Sequence, residues 1–310
     1  MIKPTTILST FLALLLPFFL LAQAPLQEGE MENWIYDSGG DYYELGGYWA
    51  STNPVSKLSI FSPVTLFRED TDVYSGMYSA KMVSGNFLGL SVAGLLFTGF
   101  FDDTQVNNPA EAAQLGVPFT DRPAIFKGYY KYTSVSGDSA AIVAQFHRSV
   151  NGQQELLGIA PFIEYNTVST WTAFNVPVIW YSTAVPDSMT VICTSSAGGE
   201  NFEAADGSTL LVDELVFEYT SGVTMPLMPE VSVQVYPNPT TELLNIHFPE
   251  YRSTSTVAVF DSQGRLVQTA VLNQETTGVD VGLLSAGTYF YQVKTDEHID
   301  AGGKFEVIGR

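Results

Sequence analysis

A single cysteine among 310 residues excludes an internal disulfide. Cys193 sits in Met189-Thr190-Val191-Ile192-Cys193-Thr194, an apolar, strand-like run. That setting marks a buried structural thiol rather than a nucleophile. Histidine is almost as scarce, with only His147, His247 and His298. No His-x-x-His or Cys–His spacing is present to hold zinc. A Gly-x-Ser-x-Gly nucleophile elbow and a phosphate-binding glycine loop are missing as well. Basic residues are few: 13 against 33 acidic, a net charge of −20. A surface of that sign repels nucleic acid and anionic membranes, so no nucleic-acid partner is expected. Charged residues make up only 15% of the chain, whereas aromatics reach 13%. This is the composition of an ordered, β-rich protein and not of a disordered one.

Long apolar runs are also rare. Residues 7–21 form one, Lys3 gives it a basic start, and Ala22-Gln23-Ala24 offers small residues at its end. This pattern predicts a secretory signal peptide over 1–22 rather than a membrane anchor. Cleavage after Ala24 would leave Pro25 at the new terminus, so cleavage after Ala22 is preferred. Loss of Lys3 then leaves 12 basic and 33 acidic side chains, a net −21. The apolar stretch 88–101 is interrupted by Gly89, Gly94 and Gly99 and predicts buried strands or a core loop. The mature chain is therefore not expected to be an integral membrane protein.

Toward the C-terminus, Asn245-Ile246-His247-Phe248 alternates polar and apolar residues. Val257-Ala258-Val259-Phe260 and Thr288-Tyr289-Phe290-Tyr291-Gln292-Val293 are rich in β-branched and aromatic residues, as strands are. Asp261-Ser262-Gln263-Gly264 has the chemistry of a hairpin turn, and Pro237 and Pro239 belong at a strand edge or entry. Short strands at near-regular spacing predict a β-sandwich over 233–310. The block also carries Val235-Tyr236-Pro237-Asn238-Pro239-Thr240, Phe260-Asp261-Ser262-Gln263-Gly264-Arg265-Leu266-Val267 and Gly303-Lys304-Phe305-Glu306-Val307-Ile308, in that order. In this it resembles the C-terminal sorting domain of the type IX secretion system. The resemblance implies a small Ig-like sandwich that engages the secretion machinery and takes its cargo across the outer membrane. It further implies that the tail is then removed, with the cargo attached to the cell surface or released. The stretch 221–232, with Pro226 and Pro229, is the expected linker, short enough to leave the two sandwiches close together.

Residues 26–220 form the expected cargo. Helix signals are weak, with a short candidate at 108–115, while strand signals are many. Phe126, Gly128, Tyr130 and Tyr132 share one face of a strand, and Lys127, Tyr129 and Lys131 share the other. Ile142, Ala144 and Phe146 alternate with Val143, Gln145 and His147. The turn-rich 133–138 between these strands reads as the loop of a hairpin. Residues 208–219 are one long strand or a strand pair. The fold class is all-β, with a jelly-roll sandwich ahead of the smaller one. The series Tyr74-Ser75-Gly76-Met77-Tyr78-Ser79, Gly116-Val117-Pro118-Phe119-Thr120-Asp121-Arg122-Pro123, Lys127-Gly128-Tyr129-Tyr130-Lys131-Tyr132 and Val212-Asp213-Glu214-Leu215 resembles the family named "Putative carbohydrate metabolism domain". More loosely it is similar to jelly-roll carbohydrate-binding modules.

A glycan site needs flat aromatic faces against the apolar side of a pyranose ring, with polar groups for the hydroxyls. Tyr129 lies on the lysine-bearing face of its strand, and lysines rarely point into a core. It is therefore a candidate platform, flanked by Lys127 and Lys131, unless the lysine stems simply cover it. A hairpin would bring Gln145 beside it. Trp34 and Trp49 are further candidates, either as platforms or as core anchors; Trp171 and Trp180 read as packing residues. Arg122, between Asp121 and Pro123, either locks its stiff loop against a carboxylate or reaches a ligand. In many jelly-roll binding modules a structural calcium is held near the first and last strands, and Glu32 and Asp213 match those places. Calcium takes six to eight oxygen ligands, so two carboxylates are only a start. The expected partner is a polysaccharide or oligosaccharide. Two other readings remain: a glycoside hydrolase or lyase on the same sandwich, which would need two opposed carboxylates, and a structural or adhesive surface protein.

Overall fold

The structure, a computed structural model, describes residues 25–57, 62–87, 89–105, 112–197, 204–219, 233–249, 251–261, 266–295 and 298–309. The expected signal peptide with Ala22 and the linker at 221–232 lie outside these residues.

The large domain runs through β1 (Trp34–Asp37), β2 (Tyr42–Leu45), β3 (Trp49–Ser51), β4 (Leu66–Glu69), β5 (Ser79–Val83), β6 (Gly85–Phe87), β7 (Leu90–Val92), β8 (Leu95–Phe101), β9 (Ala113–Leu115) and β10 (Val117–Pro118). It continues through β11 (Ile125–Thr133), β12 (Ala140–Val150), β13 (Gln153–Glu164), β14 (Val168–Pro177), β15 (Ile179–Trp180), β16 (Ser188–Thr194) and β17 (Thr209–Glu218). The tail holds β18 (Gln234–Tyr236), β19 (Leu243–His247), β20 (Ser255–Phe260), β21 (Leu266–Val271), β22 (Thr276–Asp280), β23 (Gly287–Thr295) and β24 (His298–Val307).

Two sheets face each other in the large domain. One has the order β15-β13-β12-β16-β8-β3 with β9 and β10 added at β8 and β16; the other is β14-β11-β17-β5-β4. Period-two alternation makes this possible. On β11, Phe126, Tyr130 and Tyr132 are buried, whereas Lys127, Tyr129 and Lys131 are half-buried on the outer face. Gly128 is required on the inner face, because an added Cβ would lie 2.6 Å from Leu215 and 2.9 Å from Phe174. Phe217 joins the two sheets at the centre, with ring centroids 5.6, 5.3 and 5.5 Å from Phe119, Phe126 and Phe146. Cys193 is fully buried in the same core, and burial pushes its thiol pKa up.

The expected hairpin between β11 and β12 is not formed. The two strands lie in different sheets, and residues 134–139 carry the chain from one to the other. Asp138 fixes that crossing by accepting from Ser196 Oγ at 2.8 Å and from the Ala205 amide at 3.0 Å. The hairpin partner of β12 is β13, joined through Asn151 and Gly152 at φ 54° and 81°. Of the expected helix at 108–115, residues 108–111 lie outside the described residues, Ala112 is helical, and Ala113–Leu115 is a strand paired with β8.

The tail packs β18-β19-β22 against β21-β20-β23-β24. Its own core includes Leu244, Ile246, Val257, Val259, Tyr291, Val293 and Phe305.

Candidate functional site

The outer face of the five-stranded sheet carries the chemistry. Strand β14 contributes Trp171, Ala173 and Asn175, β11 contributes Lys127, Tyr129 and Lys131, and β17 contributes Val216 and Glu218. A loop between β4 and β5 folds over one end. Its Tyr74 stacks face to face on Tyr129, centroids 3.5 Å apart and planes 15° apart, and tilts against Trp171 at 6.2 Å. Trp171 Nε1 donates to Asp72 Oδ1 at 2.9 Å, and Lys131 Nζ donates to Asp72 Oδ2. Lys127 pairs with Glu218 at 2.8 Å. Tyr129 therefore offers no free ring face where Tyr74 covers it, and the ring open to solvent is Tyr74, 42% exposed.

Two carboxylates hold that loop. Asp213, fully buried, accepts from the amides of Tyr74 and Ser75 through Oδ2, both at 3.1 Å. Its Oδ1 accepts from the Glu214 amide at 2.8 Å. Glu32 Oε1 accepts from the amides of Met77 and Tyr78 at 2.8 and 3.2 Å. Residues far apart in sequence are thus brought to one loop, but they meet N–H donors there. A calcium ion gathering six to eight oxygens would have to displace those donors. Among the described residues, no three His, Cys, Asp or Glu side chains gather as metal ligands. The donor set around Glu32 and Asp213 does not fit calcium.

The other candidates lie elsewhere. Trp49 is a core residue, 6% exposed, with its indole N–H on the Gln27 carbonyl at 2.8 Å. Trp34 packs against the same core and donates to the Met31 carbonyl at 2.6 Å. Trp49 is thus used up in the core, whereas Trp34 is half-buried on the β1–β2 pair. Gln145 belongs to the other sheet, is 2% exposed, and shares the face of Ala141 and Val143, so it does not flank Tyr129. Arg122 locks its loop through carbonyls rather than a carboxylate. It donates to Ser182 O at 2.7 Å and to Ala184 O, with its guanidinium 3.8 Å from the Trp180 ring centroid. Tyr74, Asp72 and Trp171 were missed as site residues, since only the fold brings the loop, β11 and β14 together.

The model for the family described as "Putative carbohydrate metabolism domain" matches residues 30–143 and 138–218 of the chain. The chain belongs to that family. The carbohydrate metabolism domain is followed by a match to the "Secretion system C-terminal sorting domain" over 234–304, which directs export to the cell surface or beyond. Among solved structures, a "putative glycoside hydrolase" from Bacteroides thetaiotaomicron is 24% identical with a TM-score of 0.53, covering 62% of this chain and 72% of that one. A "putative glycoside hydrolase" from Bacteroides vulgatus is 20% identical with a TM-score of 0.53, covering 63% and 98%. At these identities the likeness is one of fold. No curated protein matches the chain. No helix among the described residues is long and apolar enough to cross a membrane.

One further carboxylate of the carbohydrate metabolism domain is perturbed. Glu44 on β2 is half-buried and accepts from Ser51 Oγ at 2.7 Å. Burial raises its pKa from 4.5 to about 7, outweighing the hydrogen bond from Ser51. The folded state therefore holds this proton more tightly than the unfolded chain. The stability tied to that proton is present below pH 4.5 and is lost as the pH rises through about 7. Glu44→Gln should flatten the profile and stabilise the domain at pH 8 by on the order of 2 kcal/mol. Urea melts of both proteins at pH 5 and pH 8 measure this, and an unchanged pH slope in the variant would refute it.

Proposed function

We propose that the protein is an exported surface protein that holds glycan chains on the outer face of the five-stranded sheet without cutting them. The observation carrying this reading is the pre-positioned aromatic corner of Tyr74, Tyr129 and Trp171, rimmed by Lys127, Lys131, Asp72 and Glu218. A sugar ring stacks on the solvent side of Tyr74, and the charged rim meets its hydroxyls. The family match and the sorting domain are both consistent with this role. Binding is favoured over hydrolysis because Asp72, Asp213 and Glu218 are each engaged by a lysine or by backbone amides. A glycosidase needs two carboxyl groups free to face one bond.

A glycan array followed by titration calorimetry tests the proposal. Tyr74→Ala and Trp171→Ala should each weaken binding about tenfold, the worth of one ring stack. Trp49→Phe should leave affinity unchanged. Absence of binding at millimolar sugar, or unchanged affinity in both alanine variants, would remove the proposal. Release of reducing ends from a polysaccharide would replace it with the hydrolase reading.

A further inference from the structure

The outer face of the eight-stranded sheet is not free. Ala141 and Val143 of β12, Leu156 and Ile159 of β13, and Ile179 of β15 form one apolar cluster with Phe260 and Phe290 of the tail. Ile163 and Tyr181 on the large domain, and Ala258 and Leu266 on the tail, pack around it. The Tyr181 and Phe290 rings lie 4.5 Å apart at 35°. Lys294 of the tail reaches over Phe162 of the large domain at 5.8 Å. The tail therefore buries both sides of its larger sheet, the inner one in its own core and the outer one against its neighbour.

Two buried polar groups at this interface oppose docking. The Tyr181 hydroxyl and Gln292 Nε2 are buried without a hydrogen-bond partner. Gln292 also lines a cavity of about 30 Å³ at the seam with Pro161, Ile163, Tyr165, Thr256 and Lys294, room for about one water molecule. Both polar groups recover water when the faces part, so docking gains apolar burial and loses two hydrogen bonds to solvent.

We propose that the sorting domain is a docked partner of its own cargo, so that cutting the chain between them does not release it. Removal of the tail then takes two events: a cut in 221–232, and a separate undocking of Phe260 and Phe290 from the cargo sheet. While docked, this face of the tail is hidden from any other binding partner.

The test uses the full chain with a specific protease site placed in 221–232. After cutting, the two fragments should co-elute on size exclusion at about 10 µM. Phe290→Asp should separate them, with affinity reduced about 100-fold as for a central interface anchor. Tyr181→Phe keeps the ring contact and removes the orphaned hydroxyl, and should slow dissociation severalfold. Ala258→Arg, a second tail variant, covers the case in which Phe290→Asp does not fold. Separation of the unmutated fragments at 10 µM, or co-elution of folded Phe290→Asp and Ala258→Arg fragments, would overturn the proposal. Neither outcome depends on whether the sheet on the opposite side binds sugar.

Discussion

Deleting Val216 is expected to unfold the large domain. Leu210 and Val212 of β17 face the core, and so do Leu215 and Phe217. Strict alternation cannot place both pairs inside, because the step from 212 to 215 is odd. The chain inserts a bulge: Tyr129 pairs with Asp213 and Lys127 with Val216, leaving 214 and 215 opposite Gly128 alone. Glu214 takes up the extra residue at φ 52°. Without Val216, either the bulge is kept and Phe217 turns outward while Glu218 turns in, or the bulge is lost and Leu215 turns outward while Glu214 turns in. Lost burial of a leucine or a phenylalanine costs roughly 2–3 kcal/mol, and a buried unpaired glutamate adds several more. Domains of this size are stable by only about 5–15 kcal/mol. Urea denaturation followed by tryptophan fluorescence should show no cooperative transition in the deletion variant. Glu214→Gly, by contrast, relieves a left-handed conformation and should stabilise by about 1 kcal/mol. A deletion variant that melts like the unmutated protein would show that the bulge does not set the register.

How much of this was legible beforehand can be judged strand by strand. The alternation of β11 put Tyr129 and its lysines on a wet face, where they are, because one side of that sheet meets solvent. The β11–β12 hairpin failed because turn chemistry marks where a chain turns and not which sheet it enters. The Asn151-Gly152 pair was the stronger hairpin signal and was passed over. The aromatic corner could not be read at all: Tyr74, Tyr129 and Trp171 are separated by 55 and 42 residues of intervening numbering, and nothing local marks their meeting. The docking face of the tail did leave a trace. Tyr289-Phe290-Tyr291 is apolar at both parities, as a strand covered on both sides must be, yet this does not say what covers the second side.

The other large effect concerns Asp213, the residue that joins the bulge to the site. Asp213→Ala should lower the stability of the large domain by roughly 3 kcal/mol, since three amides lose their buried acceptor. At about 2–4 °C per kcal/mol for a domain of this length, the melting temperature should fall by about 10 °C. Burial raises the Asp213 pKa from 3.8 to about 6 even against those amide hydrogen bonds. The folded state thus retains the proton better than the unfolded chain, and the stability tied to it is present below pH 3.8 and lost as pH rises through about 6. The alanine variant should therefore lose least, relative to the unmutated protein, near pH 7. Because the released amides belong to Tyr74 and Ser75, the loop should leave Tyr129, and sugar affinity should fall as it does in Tyr74→Ala. Chelation with EDTA should leave the melting temperature of the unmutated protein where it was, because amides and not a cation hold the carboxylate. A lowered melting temperature in EDTA would return Glu32 and Asp213 to a metal. A loss below about 0.5 kcal/mol in Asp213→Ala, the scale of an ordinary surface change, would mean that the loop is held by something other than this side chain.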